Sequence, residues 1–322
     1  MKILMFGRGT IATQYAWALE NAGNTVEFYV RSGRAAQYGP TVKLDIRDGR
    51  VNPKGEPVRV EWPVLLREDL NKNHDYALII LSVNHNQVAS AVSFLSPRVG
   101  GATVLIFNNF WVDPQTAIAP IPLDKVVWGF PGGGGGLDTD GTLIGGFTKS
   151  VTFGTFGTNL TQRELVVRKL FKDANFSISE IKDFRSWLWM HFILDAGLSS
   201  QAIKAGSFAK LMDSPKQLKE AVLNVREMIP VLKARGAKLG FGAKLGFENM
   251  ALIHLPVGLI SAGLHKVVFS DDSLLRYIME KATAQHAGNV ALGLYPRDVL
   301  AEARKLGVPV PRLEAIEALF KE

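Results

Sequence analysis

The 322-residue chain contains no cysteine. Disulfides, thiolate nucleophiles and cysteine-held zinc or iron–sulfur sites are therefore excluded. Long apolar runs are missing as well: Tyr76 to Val83 and Ala251 to Leu264 are too short, or too interrupted by Gly and Pro, to cross a bilayer. No membrane partner is expected. Lys2 to Phe6 already reads as a buried strand, which leaves no room for a basic region and a secretory apolar segment, so the expected location is cytoplasmic. Runs of Lys and Arg interleaved with aromatics are absent too, so no nucleic-acid partner is expected despite a net charge of +7. That positive balance suits an anionic cofactor and a small anionic carbonyl substrate. The six histidines show none of the close pairings that zinc sites use, and no metal is expected.

What is present is the composition of an ordinary globular protein, 47% hydrophobic and 21% charged, in a chain long enough for two domains. Lys2–Phe6 reads as a strand, Gly7–Ala12 as a glycine turn and Thr13–Asn21 as a helix stopped by Gly23 and Asn24. The β-branched and aromatic run Thr25–Val30 then makes a second strand, parallel to the first. Residues 45–60 read as polar turns and short alternating segments. Tyr76–Ser82, Thr103–Phe107, Val126–Gly129 and Val151–Phe156 extend a doubly wound sheet, and Gly132–Gly136 reads as a loop, either a cofactor-closing one or a solvent turn. After residue 160 helical periodicity takes over, in Leu160–Ala174, Ser186–Gln201, Gln217–Ala234 and Arg297–Lys305. The expected fold is α/β, with an amino-terminal Rossmann-type doubly wound sheet over residues 1–160 and a carboxy-terminal all-helical domain over 161–322.

The turn Gly7-Arg8-Gly9-Thr10-Ile11-Ala12 has the G-x-G-x-x-A form of the dinucleotide fingerprint and lies between a strand and a helix, as the chemistry requires. Gly7 permits the tight turn, Gly9 lets backbone approach a pyrophosphate, and Ala12 lets the helix pack closely on the strand. The N–H groups of Thr10 and Ile11 then face the phosphates. The second strand ends Val30-Arg31-Ser32-Gly33-Arg34, without the carboxylate that accepts from the ribose 2′-hydroxyl of NAD. Arg31, helped by Arg34 or Arg8, suits the 2′-phosphate of NADP(H). The competing reading makes these arginines solvated surface residues.

MKILMFGRGTIA, the Val30-Arg31 strand end, the Leu105-Ile106-Phe107-Asn108-Asn109 strand end and the closing Leu306-Gly307-Val308-Pro309-Val310-Pro311 resemble the ketopantoate reductase family over nearly the whole length. The resemblance implies a Rossmann domain, a helical domain, NADPH, and reduction of a 2-oxo acid between them. It makes Asn108 the asparagine that touches both cofactor and substrate. The family's proton-donating lysine, in a Trp-x-Lys helix motif with asparagines four and eight residues on, falls at Trp189-Met190-His191 with Asp195 and Ser199. A second family lysine falls near Asn84 and a late glutamate near Ala291, so the acid–base site is altered.

His191 and Asp195 are four residues apart on a helix, so a carboxylate can hold an imidazole and keep a proton available for a nascent alkoxide. Ser199 is expected on the same face, bonded to substrate. The pair also reads as an exposed surface couple. His85, Asn86 and Gln87 follow a strand's carboxyl end and are candidates to line the cofactor cleft, whereas His254, His265 and His286 read as packed or surface residues. The reading is an NADPH-dependent reductase of a small 2-oxo acid or related carbonyl. Its alternatives are a dinucleotide-binding sensor without catalysis and an opine-type dehydrogenase. Oligomeric state is left open, a homodimer being among the states allowed.

Overall fold

A computed structural model describes residues 1–238, 255–282 and 286–320. It divides into two compact units, Met1–Phe184 and Arg185–Glu322. The first unit is built on an eight-stranded sheet. Its strands are β1 (Lys2–Phe6), β2 (Thr25–Tyr29), β5 (Leu65–Arg67), β6 (Leu78–Leu81), β7 (Thr103–Phe107), β8 (Val126–Phe130), β11 (Ser150–Gly154) and β12 (Ser177–Ile181), in the order β12-β11-β8-β7-β6-β1-β2-β5. All neighbours are parallel except β8 and β11. β6 and β7 are buried along their whole length and read as unbroken apolar runs, the pattern of parallel strands covered on both faces. Helix α1 (Thr10–Glu20) returns the chain from β1 to β2, and Ala12, Ala16 and Leu19 are fully buried.

The stretch expected to hold short segments is a long hairpin, β3 (Thr41–Gly49) with β4 (Glu56–Pro63), paired from Thr41↔Pro63 to Asp48↔Glu56. It belongs to a second sheet ordered β4-β3-β10-β9, with β9 at Gly133–Leu137 and β10 at Leu143–Thr148. The glycine run is thus a strand and not the expected loop. Its lack of side chains permits the approach: a Cβ on Gly135 would stand 2.1 Å from the Ile144 carbonyl oxygen, and one on Gly145 2.2 Å from that of Gly134. From α1, Gln14 Nε2 donates to the Gly134 carbonyl at 3.0 Å and the buried Tyr15 hydroxyl accepts from the Gly132 N–H at 3.0 Å.

The boundary falls at Phe184/Arg185 and not at residue 160. Helix α5 (Gln162–Asp173), opened by a Thr161–Glu164 capping box, leads into β12, which pairs with β11 and so completes the first sheet. The second unit is helical among its described residues: α6 (Phe184–Ala205, its first residue in the first unit), α7 (Phe208–Met212), α8 (Pro215–Ala234), then Val257–Gly263, Leu274–Ala282, His286–Leu306 and Pro311–Glu314. Residues 240, 242, 246 and 254 lie outside the described residues. The expected Rossmann-plus-helical architecture is the one found. Among the described residues no helix is long and apolar enough to cross a membrane.

One buried charge supports the β2 side of the large sheet. The Glu27 carboxylate, its side chain 5% exposed, accepts from Arg67 Nε at 2.7 Å and from the Tyr76 hydroxyl at 2.5 Å, with Lys2 Nζ at 3.8 Å. The hydrogen bond from Arg67 leads in holding Glu27 below the ordinary carboxylate range. A depressed folded pKa stabilises above the unfolded value, about 4.3, and the contribution is lost as pH falls through the folded pKa. Glu27→Gln is expected to cost about 1–2 kcal/mol at neutral pH, the half-exposed Arg67 limiting the effect. Urea unfolding at pH 7 and pH 3 checks it: the difference from wild type should shrink in acid.

Candidate functional site

Parallel pairing brings the ends of β1, β2, β6 and β7 to one edge of the sheet, with Phe6 opposite both Tyr29 and Leu81, and Leu81 opposite Ile106. β1 has β2 on one side and β6 on the other, so the strand order reverses beside it, the place where open α/β sheets bind ligands. The fingerprint starts there. Gly7 takes φ +107°, and a Cβ on it would come within 3.0 Å of the Ser82 carbonyl oxygen. Gly9 is the N-cap of α1 with extended backbone. Among the described residues nothing lies within 4 Å of where its Cβ would stand, and no side chain caps the helix. The N–H groups of the first turn have no intrahelical partners, and the space beside Gly9 is open, which fits a pyrophosphate.

At the end of β7, Asn108 is 3% exposed and its Nδ2 donates to the Val83 carbonyl. Its Oδ1 is buried with no hydrogen-bond partner among the described residues. An orphaned buried acceptor at this edge fits a hydroxyl donor from a ligand. His85–Gln87 form a 3₁₀ turn into α3 (Val88–Leu95), with Asn84, where the family's second lysine would fall, exposed at its start.

The β2 tip holds more than the local sequence suggests. Arg31 is exposed, and Arg34 Nη1 donates to Gln37 at 2.7 Å. The Arg8 guanidinium lies 4.5 Å from the ring centre of Tyr38, in α2 (Arg34–Tyr38), and burial disfavours its charge. A carboxylate does reach this tip: Glu68 accepts the Ala35 N–H at 2.7 Å. It follows β5, whose Arg67 pairs with Tyr29, so sheet pairing alone places it there.

In the second unit, α6 carries His191 and Asp195 with Nε2 and Oδ2 3.7 Å apart, an ion-pair separation longer than a hydrogen bond. Both are about a quarter to a third exposed. Trp187, one turn earlier, stacks on the imidazole with ring centres 5.2 Å apart at 19°. The i, i−4 spacing could have disclosed this partner. Ser199 does not share the face: it is buried, and its hydroxyl donates to Ala196 O at 3.4 Å. Eight residues at 3.6 per turn leave it about 80° away from His191. Trp189 is likewise buried, with Arg235 over its ring at 4.1 Å. His265 Nδ1 is 2.9 Å from Met212 O, a packed histidine, whereas His254 lies outside the described residues. No cluster able to hold a metal ion occurs among the described residues.

Residues 3–157 match the family model for ketopantoate reductase PanE/ApbA. Over this stretch, just under half of the chain, the amino-terminal unit is similar to that family. By sequence, no curated protein matches the chain closely enough to count as a relative. Among solved structures the chain is similar to D-mandelate dehydrogenase in its ternary structure with NADH and anilino(oxo)acetate, at 16% identity and TM-score 0.69 over 99% of this chain and 97% of that one. It is also similar to 2-dehydropantoate 2-reductase from Geobacter metallireducens GS-15, at 14% identity and TM-score 0.67 over 99% of each chain. A PanE/ApbA family ketopantoate reductase from Ralstonia eutropha JMP134 gives 15% identity and TM-score 0.66 over 99% and 97%. At these identities the likeness establishes the fold along the whole chain.

The extended backbone at Gly9 accepts a side chain, so Gly9→Val should fold normally while filling the space a pyrophosphate needs. Circular dichroism is expected to match wild type, and nicotinamide fluorescence to show dinucleotide binding abolished.

Proposed function

We propose that the chain is an NADPH-dependent reductase of a small anionic carbonyl compound, a 2-oxo acid foremost. The observation that carries this reading is the open, uncapped helix start above Gly9, at the same sheet edge as the orphaned Asn108 oxygen. In this reading Gly7, Arg8, Gly9, Thr10, Ile11 and Ala12 hold the pyrophosphate, Arg31 takes the 2′-phosphate, and Asn108 bonds to the nicotinamide ribose or the substrate. A fold neighbour solved with NADH and anilino(oxo)acetate supports the pairing of nicotinamide with an oxo acid.

When bound, reduced nicotinamide supplies the hydride that reaches the carbonyl carbon. His191 gives its Nε2 or Nδ1 proton to the carbonyl oxygen, so that the product is the hydroxy acid. Asp195, close enough for attraction but not for a hydrogen bond, favours the charged imidazole and orients it. Trp187 stacking fixes the ring plane and adds cation–π attraction for the protonated form. The buried Ser199 keeps the substrate role proposed for it only if its hydroxyl leaves Ala196.

The direct test is NADPH oxidation against a panel of 2-oxo acids that includes ketopantoate. A protein that binds NADPH but turns over none of them would instead be a binding module. Arg31→Ala is expected to weaken NADPH by about 1.5 kcal/mol, roughly tenfold, and to leave NADH nearly unchanged, as read by fluorescence titration. His191→Ala should lower turnover about 10²- to 10⁴-fold with little change in NADPH affinity, because the fingerprint and Arg31 lie in the other unit.

A further inference from the structure

We infer that Glu68 is a specificity-determining residue that limits the preference for NADPH by placing a carboxylate where the adenosine ribose substituent of the cofactor is read. The inference rests on the dinucleotide reading above and deepens it. Three observations place the group. The Val30 N–H donates to the Arg67 carbonyl at 2.8 Å, which fixes the residue after Arg67 beside the β2 tip. Glu68 Oε1 accepts the Ala35 N–H at 2.7 Å, one residue beyond the Gly33-Arg34 turn. That turn is closed by the Arg34 N–H on the Arg31 carbonyl at 3.0 Å, so Arg31 and Glu68 are held by the same few residues of backbone.

Glu68 is charged in this position: the N–H groups of Ala35 and Gly33 hold it below the ordinary carboxylate range. Arg34 is turned to Gln37 and Arg8 to Tyr38, and in this reading Arg31 and Glu68 supply the opposite charges that meet a ribose substituent at this tip. A 2′-hydroxyl donates to a carboxylate, whereas a 2′-phosphate is repelled by it and attracted by Arg31. The selectivity of the site is the difference between these two interactions.

Glu68→Gln keeps an acceptor for the Ala35 N–H and removes the charge. It is expected to raise NADPH affinity roughly three- to tenfold at low salt and to lower NADH affinity or leave it unchanged. That gain should shrink as ionic strength rises, since exposed charges are screened. Glu68→Asp keeps the charge and should stay near the wild-type ratio. Fluorescence titration of wild type, both variants and Arg31→Ala with NADPH and NADH decides the matter. An unchanged ratio in Glu68→Gln while Arg31→Ala loses NADPH overturns the role of Glu68 and leaves the cofactor reading standing. Equal shifts in Glu68→Gln and Glu68→Asp also overturn it, because loop ordering rather than charge would then be responsible. Wild type that binds neither dinucleotide removes the reading itself.

Discussion

The parallel pairing of β1 with β2 on one side and β6 on the other positions every proposed cofactor contact. Because Phe6 stands opposite both Tyr29 and Leu81, the residues that follow these three strands emerge together. Gly7, Val30 and Ser82 are thereby neighbours although more than twenty residues separate each from the next. The contact is close enough to be specific: any side chain at Gly7 would press on the Ser82 carbonyl, and Asn108 from β7 bonds to the adjoining Val83 carbonyl. A shift of one residue in any of these registers would exchange the side chains between the two faces of the sheet and separate the fingerprint from its neighbours.

The second sheet holds α1 against that edge from behind. Gln14 and Tyr15 fix the helix to the glycine strand by hydrogen bonds, and Tyr15 packs edge-on to Phe107 at 4.9 Å and stacks on Phe176 at 5.2 Å. Arg50, buried and paired with Asp48, donates to the carbonyls of Ala18 at the end of α1 and Ala174 after α5. One guanidinium thus joins the second sheet to the helices on either side of it. A buried pair of this kind contributes through the orphan charge its loss would leave more than through net attraction. The start of α1, where the fingerprint lies, is held in place by these contacts along the rest of the helix.

What was legible in the sequence follows from which side chains carry a pattern. β1, β6 and β7 show themselves as apolar runs, the fingerprint by its glycines between strand and helix, and α6 and α8 by their period. β9 was illegible because Gly132–Gly136 has no side chains from which a period could be read, and its strand character comes wholly from β10 beside it. The true boundary was hidden because α5 looks like the helices that follow it, while its partner β12 belongs to a sheet begun far upstream. At the sheet edge the pattern is the same: the strand-end positions of Gly7, Gly9 and Asn108 follow from local sequence, whereas the position of Glu68 beside the β2 tip depends on β5 pairing with β2 across about forty residues of chain. Ser199 lies off the face it was expected to share with His191 for a different reason. Positions i and i+4 nearly superpose on a helix, but the offset doubles at i+8 and carried the hydroxyl into the helix packing.

That same drift explains why the departures from the family pattern fall unequally. Along α6 the stripe Trp187, His191 and Asp195 is the partly exposed one, whereas Leu188, Phe192, Ala196 and Ser199 are buried. A histidine in place of a lysine on this stripe exchanges a long flexible ammonium for a short rigid ring, which cannot reach as far and must be aimed. Stacking by Trp187 and attraction by Asp195 are the two means of aiming it that the helix supplies, one on each side along its axis. Serine in place of the family's second asparagine lies off the stripe, where a small hydroxyl can satisfy itself on the preceding turn and a carboxamide could not do so as compactly. The two positions therefore differ in kind: His191 stays on the partly exposed stripe with a neighbour on each side, and Ser199 is part of the helix packing.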